Sequence, residues 1–161
     1  MTYDLFSASK NDNVEEVRRL VELGANINEL GAELYSLLHY TAECGYIKTT
    51  KYLVEEQNMN INKINKYSHT PLYCATESGQ TETVAFLASK NALFEKEMLD
   101  NFCKKKNQQI QRTESQEEKL KLKSEIELIK NLFKQKTIEN LFNIKYNLDS
   151  AFDLQKQQVK K

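Results

Sequence analysis

Thr70-Pro71-Leu72-Tyr73-Cys74-Ala75-Thr76-Glu77-Ser78-Gly79 reads as one short helix with both ends marked. Thr70 offers a hydroxyl as N-cap, and Pro71 takes the first helical position, where its missing N–H leaves no hydrogen bond unmade. Leu72 and the small pair Ala75-Thr76 face inward and let neighbouring helices approach closely. Gly79 stops the helix, and a second one opens near Thr81 with Val84 and Leu87 on its apolar stripe. Asn91 tolerates the left-handed conformation that ends this second helix. The unit is therefore a pair of short antiparallel helices.

The same unit occurs twice upstream. Leu5-Phe6-Ser7-Ala8 and Leu38-His39-Tyr40-Thr41-Ala42 precede Leu72-Tyr73-Cys74-Ala75-Thr76, with leucines 33 and 34 residues apart. Asp12, Gly45 and Gly79 follow the same offset. Val17 and Leu20-Val21 recur as Thr50 and Leu53-Val54, then as Val84 and Leu87-Ala88. Gly24-Ala25-Asn26-Ile27-Asn28 recurs as Asn58-Met59-Asn60-Ile61-Asn62, one residue later in the frame, and then as a shortened Asn91-Ala92. A period in this range marks a stacked repeat architecture, in which each unit buries its apolar face only against its neighbours. The polar stretches 28–35 and 62–69 are long enough for extended hairpins between helix pairs.

These residues resemble the ankyrin repeat. Its threonine-proline-leucine-histidine, small-small, glycine pattern matches Thr70-Pro71-Leu72-Tyr73, Ala75-Thr76 and Gly79. The second unit keeps Leu38-His39 but has Ser36-Leu37 before them. Glu22-Leu23-Gly24-Ala25-Asn26-Ile27-Asn28 matches the family's repeat ending, and the first unit starts as an N-terminal capping repeat would. The resemblance spans about residues 3–94. It implies an all-α solenoid and recognition of a protein partner, without catalysis, through a concave face of hairpin tips and first helices. It also implies that His39 orders the loop of a neighbouring repeat. On that face it places Tyr35, Tyr40, Glu43, Lys66, Tyr67, His69 and Glu77 as partner-binding residues, with aromatics beside acids as anchors.

Residues 95–161 read as a separate helical extension or cap after the repeat domain of residues 1–94. No glycine or proline follows Gly79. Residues 1–94 carry 8 Lys and Arg against 12 Asp and Glu, a formal −4, and the remainder carries +4. This complementarity favours docking of the extension on the repeats. Phe94, Met98, Leu99 and Phe102 recur at helical spacing and would close the exposed end of the third repeat. The run 104–113 turns fully polar apart from Ile110, with Lys104-Lys105-Lys106 reading as a solvated helix end. Ser115 with Glu118 reads as a capping box, after which Leu122, Ile126, Ile129 and Phe133 form a heptad seam. Thr137 would open a last helix repeating that seam through Leu141, Leu148 and Phe152, with Lys145 at one core position. Two or three amphipathic helices thus follow the solenoid, as a hairpin joined near 134–137 or as one long coiled-coil-like helix paired with a partner. Ile126, Ile129, Phe133, Leu148 and Phe152 are its expected contacts to the repeats or to another chain.

The remaining features narrow the function. Cys44, Cys74, Cys103, His39 and His69 never stand at zinc-ligand spacing, so no metal is expected. No glycine-rich phosphate loop and no cysteine–histidine pair with an oxyanion hole is legible, so neither an enzyme nor a cofactor is expected. The formal net charge of 0 over 161 residues gives no overall field towards nucleic acid. No stretch approaches eighteen apolar residues, so membrane insertion is not expected. Odd cysteine usage and charges near the N-terminus place the chain in the cytoplasm or nucleus rather than outside the cell. The sequence describes a non-enzymatic adaptor or scaffold, or alternatively a structural subunit docking into a larger assembly through its C-terminal helices.

Overall fold

The computed structural model describes the backbone of residues 4–159 and the side chains of residues 4–140. Helix α1 (Leu5–Ala8) is capped by Asp4, whose carboxylate accepts from Ser7 N at 3.0 Å. α2 (Val14–Glu22) is capped by Asn13. In the second unit Ser36 caps α3 (Leu37–Cys44), which is followed by α4 (Ile47–Lys51) and a π-helical turn, Tyr52–Glu56. In the third, Thr70 Oγ1 accepts from Tyr73 N at 3.2 Å ahead of α5 (Pro71–Ser78), and α6 (Thr81–Ser89) follows. Two longer helices complete the chain, α7 (Lys96–Arg112) and α8 (Gln116–Val159).

The equivalences read from the sequence extend to backbone conformation. Asp12, Gly45 and Gly79 all have positive φ, at 58°, 73° and 72°. Asp12 lacks a glycine's freedom, but its carboxylate holds Lys48 N and Thr49 N at 2.9 and 2.8 Å, tying the first unit to the start of α4. Leu5, Leu38 and Leu72 are each buried, seven residues ahead of Asp12, Gly45 and Gly79 respectively. The later onset of the second unit's ending has a physical form. Leu53 follows Leu20 by 33 residues and Asn58 follows Gly24 by 34, so the extra residue falls where the π turn lies. A π turn absorbs one inserted residue without breaking the helix. Arg18 pins it, bonding Glu56 bidentately at 2.6 and 2.8 Å and lying 4.5 Å over the Tyr52 ring.

The helices stack in two rows. α1, α3, α5 and α7 pack successively in an inner row, and α2, α4, α6 and α8 in an outer one. The helices α7 and α8 therefore take the place of a fourth pair. The core is continuous through both halves. Leu5, Val17, Leu38 and Leu53 fill its first part, and Leu72, Ala75, Val84, Leu87, Phe102 and Ile129 its second, with Val54 packed on each.

Three local expectations are corrected. The hairpins are not extended strands. Among the described residues only Leu30 and Ser36 form an antiparallel bridge, and in the next hairpin Asn65 N donates to His69 O at 3.0 Å. Asparagine amides instead satisfy the backbone: Asn26 accepts from Asn28 N, Asn60 from Asn62 N, and Asn65 from Tyr67 N and His69 N. The run 104–113 is helical up to Arg112, and Lys106 is buried rather than solvated because Glu125 of α8 neutralises it at 2.7 Å. Thr137 opens no helix; its hydroxyl bonds Phe133 O at 2.9 Å inside an unbroken α8. Ser115 does cap α8, accepting from Glu118 N at 3.3 Å, although the Glu118 carboxylate turns to Thr113 instead of completing the box.

His39 links two repeats as expected. Its Nδ1 accepts from Ser36 N at 3.3 Å and lies 2.7 Å from Ser36 Oγ, leaving Nε2–H to donate to His69 O at 3.0 Å. Burial holds its pKa below the ordinary 6.5, outweighing the carbonyls of His69 and Lys63 that favour the cation. The unfolded chain therefore binds the extra proton first. Stability is complete above about pH 6.5 and falls as pH drops from there towards the lowered folded pKa. Urea midpoints between about pH 8 and pH 5 should show this slope, and His39→Gln should flatten it.

Candidate protein-binding face

The exposed side of the inner row is built from the ends of the inter-repeat loops and the solvent-facing positions of α3, α5 and α7. Tyr35 leaves its loop half-buried, with its ring 5.1 Å from that of His39. Its hydroxyl donates to the exposed Glu43 carboxylate on α3. Burial pushes the Tyr35 phenol well above its usual range, and its contacts with Cys74 and Glu43 add to this. Cys74 on α5 is pushed up to about 11, mostly by burial and partly by the carboxylates of Glu43 and Glu77; its contact with Tyr35 opposes them. A thiol so shifted is protonated and unreactive at neutral pH.

One repeat further on, His69 stacks on Tyr73 with ring centroids 3.9 Å apart and 23° between planes. Tyr67 sits 6.2 Å from His69 and is 60 % exposed. Tyr73 in turn contacts Asn101 of α7 and feels Glu77 and Glu97. Tyr40 lies edge-on between Phe6 at 5.8 Å and Tyr46 at 6.0 Å.

The structure thus brings Tyr35, Glu43, Cys74 and Glu77 into one neighbourhood, adjoined by the Tyr67–His69–Tyr73 series, with Tyr40 in an aromatic group at the N-terminal end. Lys66 stands apart from the others. Its ammonium lies 2.7 Å from Glu33 and its N–H donates to Glu33 O at 2.8 Å, so it fastens one loop to the next. Tyr73 and Asn101 belong to the face although the sequence reading did not assign them to it. Tyr73 was within reach, because it stands 34 residues after His39 at the histidine position of the motif. Asn101 carried no signal, since nothing in residues 95–112 repeats the ankyrin pattern.

The C-terminal contact residues lie elsewhere. Ile126 and Ile129 are buried in the chain's own core, and Phe133 packs edge-on against Phe94 at 5.3 Å. These three serve the cap. Leu148 and Phe152 lie outside the described side chains, as do Leu141 and Lys145. Among the described residues no group of three His, Cys, Asp or Glu is placed to hold a metal ion, and no helix is long and apolar enough to cross a membrane. The chemistry on offer is hydrogen bonding, ring stacking and carboxylate charge.

Comparison with known proteins agrees with this architecture. The family model described as ankyrin repeats (3 copies) matches residues 5–98. Transient receptor potential cation channel subfamily A member 1 of Homo sapiens is 36 % identical over 56 residues, which is 34 % of this chain and 5 % of that protein. Alpha-latrotoxin-Lhe1a of Latrodectus hesperus is 32 % identical over 81 residues, 50 % of this chain and 6 % of the toxin. Delta-latroinsectotoxin-Lt1a of Latrodectus tredecimguttatus is 33 % identical over 94 residues, 55 % of this chain and 8 % of the toxin. The chain thus spans under a tenth of the length of each of these relatives. Among solved structures, the ankyrin repeat domain of human ASB11 superposes with a TM-score of 0.58 at 21 % identity, covering 76 % of this chain and 53 % of that one, a likeness of fold. With three helix pairs in one register and the family model matching more than half its residues, the chain belongs to the ankyrin-repeat family, whose repeats form a protein–protein interaction module.

Proposed function

We propose that this chain is a non-enzymatic adaptor or scaffold subunit that holds a protein partner against the inner row of helices. The observation that carries the reading is the row of rings and carboxylates on that face: Tyr35, Glu43, Tyr67, His69, Tyr73 and Glu77, all half-buried or exposed. Rings fixed by their neighbours lose little freedom on binding and supply large contact area, which is why such positions dominate interface energetics. Reduced thiols at Cys44, Cys74 and Cys103 support a cytoplasmic or nuclear setting. A second contact through α8 is supported by Leu128 and Ile138, 55 % and 57 % exposed and turned away from the Ile126–Ile129 side that packs on the repeats. Through that contact the chain would sit in a larger assembly.

The test is affinity capture from a native extract, followed by titration of the identified partner. Tyr67→Ala and Tyr73→Ala should each weaken binding by about tenfold or more, while far-ultraviolet circular dichroism stays unchanged. Equal capture by the variants would count against this face. Loss of capture on replacing Leu128 and Ile138 by serine, with Tyr67→Ala silent, would move the interface to α8.

A further inference from the structure

The inner and outer rows differ in how their charges are partnered. On the outer row, Glu16 pairs with Arg19, Glu56 with Arg18, Glu55 with Lys90 and Glu82 with Lys51. Along α1, α3 and α5 the only ionised residues are Glu43 and Glu77, both exposed, since His39 is held neutral. Neither has a cationic partner among the described residues. The Glu43 carboxylate accepts from the Tyr35 hydroxyl, and both carboxylates are near enough to Cys74 to raise its pKa. The nearest loop cation, Lys66, is engaged by Glu33. Rings lie beside the pair: Tyr35 donates to Glu43, and Tyr73, stacked on His69, feels the charge of Glu77. Lys104 and Lys105 of α7 border Glu77 on its far side and limit the negative stretch to the repeats.

From this contrast we infer that the inner face docks a peptide segment of the partner carrying Lys or Arg, with the cation between Glu43 and Glu77 and its stem across Tyr35 and Tyr73. This rests on the reading of that face as protein-binding and adds the charge of what it takes. The physical ground is complementarity. Two exposed carboxylates without ion-paired cations repel acidic segments and attract basic ones. The rings add cation–π attraction, which a guanidinium exploits best. The two carboxylates sit on successive helices of a rigid stack, so their spacing is fixed before the partner arrives and little ordering is required.

A library of displayed random dodecapeptides selected against the full chain tests this. The enriched peptides should carry an excess of Lys and Arg over Asp and Glu. That excess should vanish when the target is Glu43→Gln/Glu77→Gln and persist for Glu16→Gln/Glu82→Gln on the outer row. One enriched peptide, labelled and titrated by fluorescence anisotropy, should lose about tenfold or more in affinity for the inner-row double variant and weaken as salt rises from about 50 to 300 mM. Should Glu43→Gln disturb folding, Glu77→Gln alone carries the comparison, because that side chain is exposed. Neutral or acidic enriched peptides, or a cationic excess that survives the substitutions, would overturn the inference. Peptides that lack the charge bias but still lose affinity with Tyr67→Ala or Tyr73→Ala would sink only this inference. Peptides indifferent to both tyrosines, or no enrichment at all, would sink the reading of the face as well.

Discussion

Phe102→Ala should lower the unfolding free energy by about 3–5 kcal/mol. Phe102 is a fully buried side chain on α7, with Leu72, Val84, Leu87 and Ile129 in the same cluster. A stacked array leaves its last apolar face wet unless something covers it, and Phe102 is the centre of that cover. Removing the ring forfeits its transfer free energy and leaves a cavity between two helix rows that cannot collapse without separating. It also removes the aromatic face that lies 5.5 Å from the Lys106 ammonium. Urea denaturation followed by circular dichroism measures the loss, and half-buried Leu99→Ala on the same helix should cost clearly less. A change below about 1 kcal/mol for Phe102→Ala would mean that α7 and α8 do not cap the repeats in solution.

The second large effect concerns a charge that the cap buries. Lys106 is 7 % exposed, and its ammonium meets Glu125 of α8 at 2.7 Å; Glu125 also accepts from Thr81 of α6 at 2.8 Å. One ion pair thus joins both helices of the cap to α6 of the third repeat. Burial alone would raise the Glu125 pKa, but the hydrogen bonds from Lys106 and Thr81 outweigh it, and the net shift is downward from 4.5. Lys106→Ala should cost about 3–5 kcal/mol, because it leaves a carboxylate in the cap without its cation. Lys106→Met combined with Glu125→Leu should restore stability to the parent level or above it, since a buried pair often does no better than apolar side chains of similar volume. If the double replacement proves as damaging as the single one, the pair contributes more than it costs to bury. Because the folded-state pKa of Glu125 is lowered, its contribution is complete above about pH 4.5 and is lost as pH falls through the folded value. That acid slope should be absent in the double variant and is separate from the one assigned to His39, which begins about two units higher.

Much of the proposed binding face was legible because its scaffold is periodic. Thr70-Pro71, Gly79 and the 33- to 34-residue spacing carry the resemblance to the ankyrin repeat, and that resemblance implies that Tyr35, Glu43, Tyr67, His69 and Glu77 share one side. Spacing locates a side chain without revealing what it bonds. Lys66 stood among the expected contacts yet fastens to Glu33, and Tyr73 was passed over although it occupies the position of His39. Asparagine gave loops but not their form: at Asn26, Asn60 and Asn65 the amide satisfies backbone groups that strands would otherwise pair.

The sequence by itself determined the repeat, its helix starts and stops, the leucine spine and the lack of glycine or proline after Gly79, because caps, turns and apolar periodicity act within a few residues of each other. Only the tertiary structure decided the fate of the extension. Whether residues 104–113 break or continue, whether Lys106 meets water or Glu125, and whether Ile126 and Ile129 face the repeats or another chain depend on contacts between residues far apart in sequence. A polar helix turn reads the same whether it is solvated or neutralised by a distant carboxylate. Packing α7 against α5, and α8 against α6 and α7, settles all three at once, since it buries the apolar end of the third repeat at the cost of one buried ion pair.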